Sequence, residues 1–190
     1  MELTLTTPTL YLARHATPDW SRTDLPYHLP PGPPLTPQGE AEAAELGRFL
    51  RAAGVTRLYA SPLERARRTA EIAASVAELP FQVEAAIAEW RPEEKPEHIR
   101  VRFWPVWERV IAQSLQSGPI ALVTHGGPIG FFLDELGLPK DTLAYYRRTF
   151  DRNNPAPPAG VWKAARPASG EPWDVSLAFV PDAYRKKLIV

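Results

Sequence analysis

The chain of 190 residues contains no cysteine. That excludes a disulfide framework, thiolate catalysis and any Cys-ligated zinc or iron–sulfur centre. Neither sign of charge is in excess, because Lys+Arg and Asp+Glu are both 22. Proteins that bind DNA or RNA ordinarily carry a basic surplus, so no nucleic-acid partner is expected. No apolar run approaches the roughly 18 residues of a membrane span, so no membrane partner is expected either. Residues 1–8 lack the basic and long apolar regions of a secretory signal, which makes cytoplasm the expected location. There are four histidines, His15, His28, His98 and His125. None falls in a His-x-x-x-His or His-x-His pattern, so neither a metal nor another cofactor is expected.

What is present is an ordinary globular balance, with 44% hydrophobic and 23% charged residues. Such a chain can bury a core without covalent staples, and a single domain over residues 1–190 is expected. No internal repeat or low-complexity tract interrupts it. The pattern alternates short apolar runs with longer helical stretches. Residues 9–13 read as a buried strand. A loop rich in proline and aromatics follows to residue 34. Thr36 is a helix N-cap candidate with Pro37 at the first helical position, and Gly54 marks the stop. Residues 57–60 read as a strand. Ser61-Pro62-Leu63-Glu64 has the form of a capping box opening a helix to about residue 78. Residues 81–83 suggest a third strand, 96–117 a helix, and 120–124 the cleanest buried strand. His125-Gly126-Gly127-Pro128 leads into a helix to about residue 136. Two further strands are expected near 142–150 and 176–180, with a proline-rich loop over 153–160. Arg185-Lys186-Lys187 reads as a solvated tail.

Strand–helix alternation predicts a mostly parallel sheet with helices on both faces. Ligands of such sheets gather at the carboxyl ends of the strands. Three chemically loaded segments lie at such ends: Arg14-His15, Ser61 to Arg68, and His125-Gly126. Arg65 would sit in the first turn of a helix, where a cation opposes the dipole unless an anion lies between them. Arg67 and Arg68 read as solvated surface charges. The glycines after His125 allow close approach of backbone to a bound group. Ser61 lacks the Gly-x-Ser-x-Gly elbow of a hydrolase nucleophile and reads as a cap.

Together these segments resemble the histidine phosphatase superfamily, the phosphoglycerate mutase-like family. Leu10 to Trp20, with Arg14-His15-Ala16, is similar to its strand and Arg-His-Gly block. Residues 34–39 with 41–50 resemble its second block. Ser61-Pro62-Leu63-Glu64-Arg65-Ala66 matches its Ser-Pro-Leu-x-Arg-Ala block, and Val123-Thr124-His125-Gly126-Gly127 its second His-Gly block. The order and spacing agree over about residues 9–136. The resemblance implies a three-layer α/β/α sandwich with a mostly parallel central sheet, residues about 90–118 being a candidate small cap insertion. It also implies a metal-independent phosphatase acting on small-molecule phosphomonoesters through a phosphohistidine. His15 would be the nucleophile; Arg14, Arg65, His125 and Gly126 would bind the phosphoryl group; and Glu89 would be the acid. Glu93 and Glu94 stand as fallback acids, because the family's glycines are absent around Glu89. Ala16 departs from the family's glycine and limits φ > 0. A cofactor-dependent phosphoglycerate mutase and a non-catalytic phosphate-binding module are the alternatives. Trp20, Tyr27, His28 and Trp90 are expected at the rim of the pocket, and Trp104 and Trp107 in packing. The oligomeric state is not legible.

Overall fold

The computed structural model describes residues 7–150, 153–167 and 171–188. Among these, one six-stranded sheet holds β1 (Thr9–Arg14), β2 (Arg57–Ala60), β3 (Phe81–Val83), β4 (Ile120–Thr124), β5 (Val161–Ala165) and β6 (Asp174–Phe179). The strand order is β3-β2-β4-β1-β5-β6. The first four strands run parallel, while β5 and β6 are antiparallel to their neighbours.

Strand periodicity divides the core between two faces. Leu10, Leu12 and Leu122 point to one face, where Phe103, Trp107, Phe132 and Leu143 cover them. These come from α3 (Pro96–Ser117), α4 (Gly126–Glu135) and α5 (Lys140–Thr149). Tyr11, Ala13 and Val123 point to the other face, against α1 (Pro37–Ala52) and α2 (Glu64–Ala77). A Cβ at Gly47 on α1 would lie 2.7 Å from the Ala73 carbonyl oxygen on α2, so the two helices touch backbone to side. The expected three-layer α/β architecture is therefore observed. No helix of the described residues is long and apolar enough to cross a membrane.

Thr36 caps α1 as expected, accepting a hydrogen bond from the Gly39 N–H. Three expectations need correction. Residues 142–150 are helix, not strand. Tyr145, Tyr146 and Phe150 have the composition of a strand, but Leu143, Tyr146 and Phe150 share one helical face, and Arg147 and Arg148 in the last turn suit the dipole. The strand that the sequence pattern misses is β5. The Ser61–Glu64 capping box does not form: α2 begins at Glu64, its N-cap is Leu63, and no side chain caps it. Arg185, Lys186 and Lys187 are exposed as expected, but they lie on α6 (Asp182–Arg185) and a following 3-10 turn and not on an irregular tail. Residues 90–118 consist largely of α3, whose Ile99, Phe103, Trp107 and Val110 are buried against the sheet.

Candidate active site

The carboxyl ends of β1, β2 and β4 are adjacent in the sheet, and each delivers one polar segment to the same place. β1 ends in Arg14 and His15, β2 leads into Ser61 and α2, and β4 leads into His125. Arg14, His15, Arg65 and His125 are all at most 1% exposed. Their burial at strand ends, without apolar replacement, calls for a function or a partner.

The two imidazoles face each other, with ring centroids 5.2 Å apart and planes 57° from parallel. His15 Nδ1 lies 2.8 Å from the Ala16 carbonyl oxygen. A carbonyl only accepts, so Nδ1 carries the proton and the lone pair sits on Nε2. His125 Nε2 lies 2.7 Å from Ser61 Oγ, which also accepts from the Leu63 N–H. Where the Ser61 hydroxyl donates to Nε2, His125 carries its proton on Nδ1, which faces Glu89 Oε2 at 3.7 Å. That Nδ1 is buried and has no hydrogen-bond partner.

Arg65 occupies the first turn of α2 and is fully buried. Its Nη1 donates to the Tyr27 carbonyl at 2.9 Å, and its guanidinium lies 3.8 Å from the centroid of the Tyr27 ring. Its Nε and Nη2 have no hydrogen-bond partner. Arg14 Nη1 donates to the Ala156 carbonyl at 2.9 Å, in the loop before β5. Each arginine is thus held by a backbone carbonyl on one side.

Glu89 follows a 3-10 turn, Ala85–Ile87, and is brought into the cluster. Its Oε2 lies 3.7 Å from His125 Nδ1 and 3.9 Å from Arg65 Nη2. Its Oε1 accepts from the Trp90 N–H at 2.9 Å. The fallback acids are elsewhere: Glu94 pairs with Arg102, and Glu93 makes no hydrogen bond or ion pair with the cluster among the described residues.

Burial, then the positive charges of Arg65 and Arg14, hold the His15 pKa well below the usual histidine value. Burial, then Arg65, His15 and Arg14, do the same for His125. Burial pushes Glu89 up from the usual carboxylate value, outweighing the opposing Trp90 N–H and Arg65. The cluster is thus built to keep two imidazoles neutral while favouring a protonated carboxyl beside them.

Ala16 does not strain the loop. The non-glycine residues of positive φ among those described are Glu78, Asn153 and Ala159. Ala16 donates its N–H to Thr69 Oγ1 at 3.0 Å. The next residue is anchored by Glu42, which is 2% exposed and accepts both the Thr17 N–H at 2.8 Å and its hydroxyl at 2.9 Å. Gln38 and the Tyr184 hydroxyl donate to the same carboxylate, at 2.8 and 2.9 Å. Glu42, Tyr184 and Ser61 are functional-site neighbours that sequence reasoning missed. Gly39 was the available signal, since a Cβ there would overlap the Thr17 carbonyl oxygen.

Above the cluster opens a cavity of about 540 Å³, lined by Arg14, Glu89, Trp20, Tyr27, His28 and Asn154 among others. Trp20 and Tyr27 stack with centroids 5.0 Å apart, as rim residues should. Trp107 is buried core and Trp104 stacks on Phe132. Arg67 and Arg68 lie on the surface, paired with Glu64, Glu71 and Glu40.

A model described as histidine phosphatase superfamily (branch 1) matches residues 10–93. The "Probable phosphoglycerate mutase GpmB" of Citrobacter koseri is 34% identical over 80 residues, 42% of this chain and 37% of that protein. The chain thus aligns with little more than a third of that relative's length. Among solved structures, phosphoglycerate mutase from Bacillus anthracis superposes with a TM-score of 0.73 at 15% identity, covering 96% of each chain. A mycobacterial glucosyl-3-phosphoglycerate phosphatase gives 0.69 at 19% identity, covering 91% of this chain and 99% of that one. At these identities the structures establish the shared fold.

Proposed function

We infer, taking as premise that the chain is of the histidine phosphatase superfamily, that it hydrolyses phosphomonoesters through a phosphohistidine on His15. The observation that carries this reading is the facing imidazole pair, His15 and His125, flanked by two buried guanidiniums.

Phosphomonoester hydrolysis is among the slowest uncatalysed reactions, and acceleration on the order of 10²¹, about 28 kcal/mol, is required. Positioning and electrostatics must supply most of it. His15 Nε2 holds the free lone pair, and the depressed pKa keeps it available. It attacks phosphorus in line; the P–N bond forms as the bond to the leaving oxygen breaks. Arg14, Arg65 and His125 Nδ1 donate to the equatorial oxygens, whose charge grows in the transition state. Gly126 lets the amino end of α4 approach the same group. Glu89, whose pKa burial raises, gives a proton to the leaving oxygen when in its acid form. Its carboxylate then takes a proton from water, whose oxygen attacks phosphorus and breaks the P–N bond. Phosphate leaves, and His15 and Glu89 return to their starting states. The protein's own cations perform the charge neutralisation, so no metal enters the scheme.

The test is acid-quench labelling with a phosphomonoester panel. The wild-type protein should yield an acid-labile, alkali-stable adduct, and His15→Ala should yield none. Persistence of the adduct in His15→Ala would reject the nucleophile, and loss of activity with chelator would reject the metal-free scheme. Transfer to a second phosphoglycerate instead of water would replace hydrolysis by mutase chemistry.

A further inference from the structure

A second cavity, of about 660 Å³, lies on the other side of Glu89 and Trp90 from the first. Asn154 lines both cavities, and Gly126 and Gly127 form the near end of the second. Trp90 and Phe131 give it an apolar wall, meeting edge to face at 6.2 Å. Lys140 and Arg147 stand at its far end. They are seven residues apart on α5, two turns along one helical face.

These two cations differ from their neighbours. Arg100 pairs with Glu135 and Arg102 with Glu94. Lys140 and Arg147 make no ion pair or hydrogen bond among the described residues, and the cavity holds a single carboxylate, that of Asp134. Gly130 leaves room for the Arg147 guanidinium to lie along α4, since a Cβ there would come within 2.8 Å of Nη2. Gly130 is four residues beyond Gly126, about 6 Å along the helix. The cavity thus combines the amino end of α4 at Gly126 and Gly127, an apolar wall of Trp90 and Phe131, and two cations, of which Arg147 packs on Gly130 about one helical turn along α4.

We propose that this cavity is a second anion subsite, in which Lys140 and Arg147 receive a carboxylate or phosphate on the far end of the substrate's leaving group. The inference deepens the phosphatase reading and rests on it. It makes the preferred substrate a phosphomonoester with a second anionic group, not a neutral alcohol phosphate. Lys140 and Arg147 act as specificity residues and take no part in the phosphoryl chemistry. Their attraction is partly solvated, so it weakens with salt.

The experiment uses ω-phosphooxyalkanoates of two to five methylenes and the corresponding primary amides, equal in shape but not in charge. At one chain length the wild-type protein should show kcat/KM at least about tenfold higher for the carboxylate than for the amide, declining as salt is raised. Lys140→Gln with Arg147→Gln should bring that ratio to about one while kcat/KM for p-nitrophenyl phosphate stays within about twofold. A ratio near one in the wild-type protein at every length, or a ratio unchanged in the double variant, overturns the subsite. Failure of the phosphatase reading is separable. If no ester turns over, the same pairs are compared by calorimetric binding: a carboxylate preference lost in the double variant supports the subsite, and equal binding of acid and amide overturns it.

Discussion

Replacing Arg65 by methionine removes the guanidinium from a fully buried position while keeping an unbranched side chain against Tyr27. Two of its donor nitrogens, Nε and Nη2, have no hydrogen-bond partner among the described residues. In the proposed reaction both would donate to phosphoryl oxygens. Charge-assisted hydrogen bonds contribute about 1.5–3 kcal/mol each. Their joint loss is about 3–6 kcal/mol, or a fall of ~10²–10⁴ in kcat/KM. The same guanidinium is the larger of the two charge effects that depress His15, and it also opposes the rise of Glu89. His15 must be neutral to attack, so the ascending limb of the pH profile belongs well below pH 6.5 in the wild-type protein. Glu89 must be protonated to act as acid, so its deprotonation sets the descending limb. Without Arg65 both pKa values rise, and the whole bell moves to higher pH. The substrate's own titration is common to both proteins and cancels in the difference. Arg65→Lys should separate the two effects: its charge restores the limbs toward wild type, while its single ammonium leaves kcat/KM low. A loss below tenfold in Arg65→Met, or limbs that do not move, would refute the assignment of Arg65 to the phosphoryl group.

Three other perturbations probe the support of the site. Gly39→Ala should lower stability by about 1–3 kcal/mol, read from chemical denaturation, and reduce kcat/KM as well, because the new methyl displaces Thr17 and hence His15; wild-type behaviour would show that the loop yields freely. Ser61→Ala should lower kcat/KM about 3- to 10-fold with the fold intact, by freeing the His125 ring from its 2.7 Å contact; an unchanged rate means that Ser61 does not orient the ring. In the folded protein both His15 and His125 resist protonation, whereas in the unfolded chain they titrate near 6.5. Stability is therefore lost as pH falls below 6.5, by up to about 1.4 kcal/mol per unit for each. Glu89 works in the opposite sense: its raised pKa adds stability that is fully present below 4.5 and is lost as pH rises through the folded value. His15→Asn should flatten the Tm-against-pH curve between pH 6.5 and 5.5, and parallel curves would contradict a neutral buried His15.

The sheet and the site were legible to different depths. β1 and β4 carry near-continuous apolar runs, and burial on both faces makes that pattern hard to mistake. His15, Arg65 and His125 follow strand ends directly, so sequence alone places them at one edge. Glu89 reached the cluster although the glycines beside it in sequence are missing, because a turn after β3 carries it there and Gly127, distant in the chain, leaves room for its carboxylate. Tyr145 and Tyr146 misled, since aromatic pairs favour strands and the apolar face of α5 appears only at period 3.6. Ser61 misled for another reason: a Ser-Pro-Leu-Glu segment has local capping chemistry, but His125 competes for the hydroxyl from 64 residues away. Glu42, Tyr184 and Asn154 were illegible because their roles arise from contacts that no local pattern encodes.

The tether between Arg14 and the Ala156 carbonyl spans 142 positions of chain. β1 itself lies between β4 and β5, so neither of its flanks is paired until much of the polypeptide has emerged from the ribosome. A nascent chain therefore displays its first histidine early, but β1 and Arg14 gain their neighbours only once residues 120–165 have been made. Joining segments so far apart in sequence costs more loop-closure entropy than a local contact, which slows the completion of this edge of the sheet.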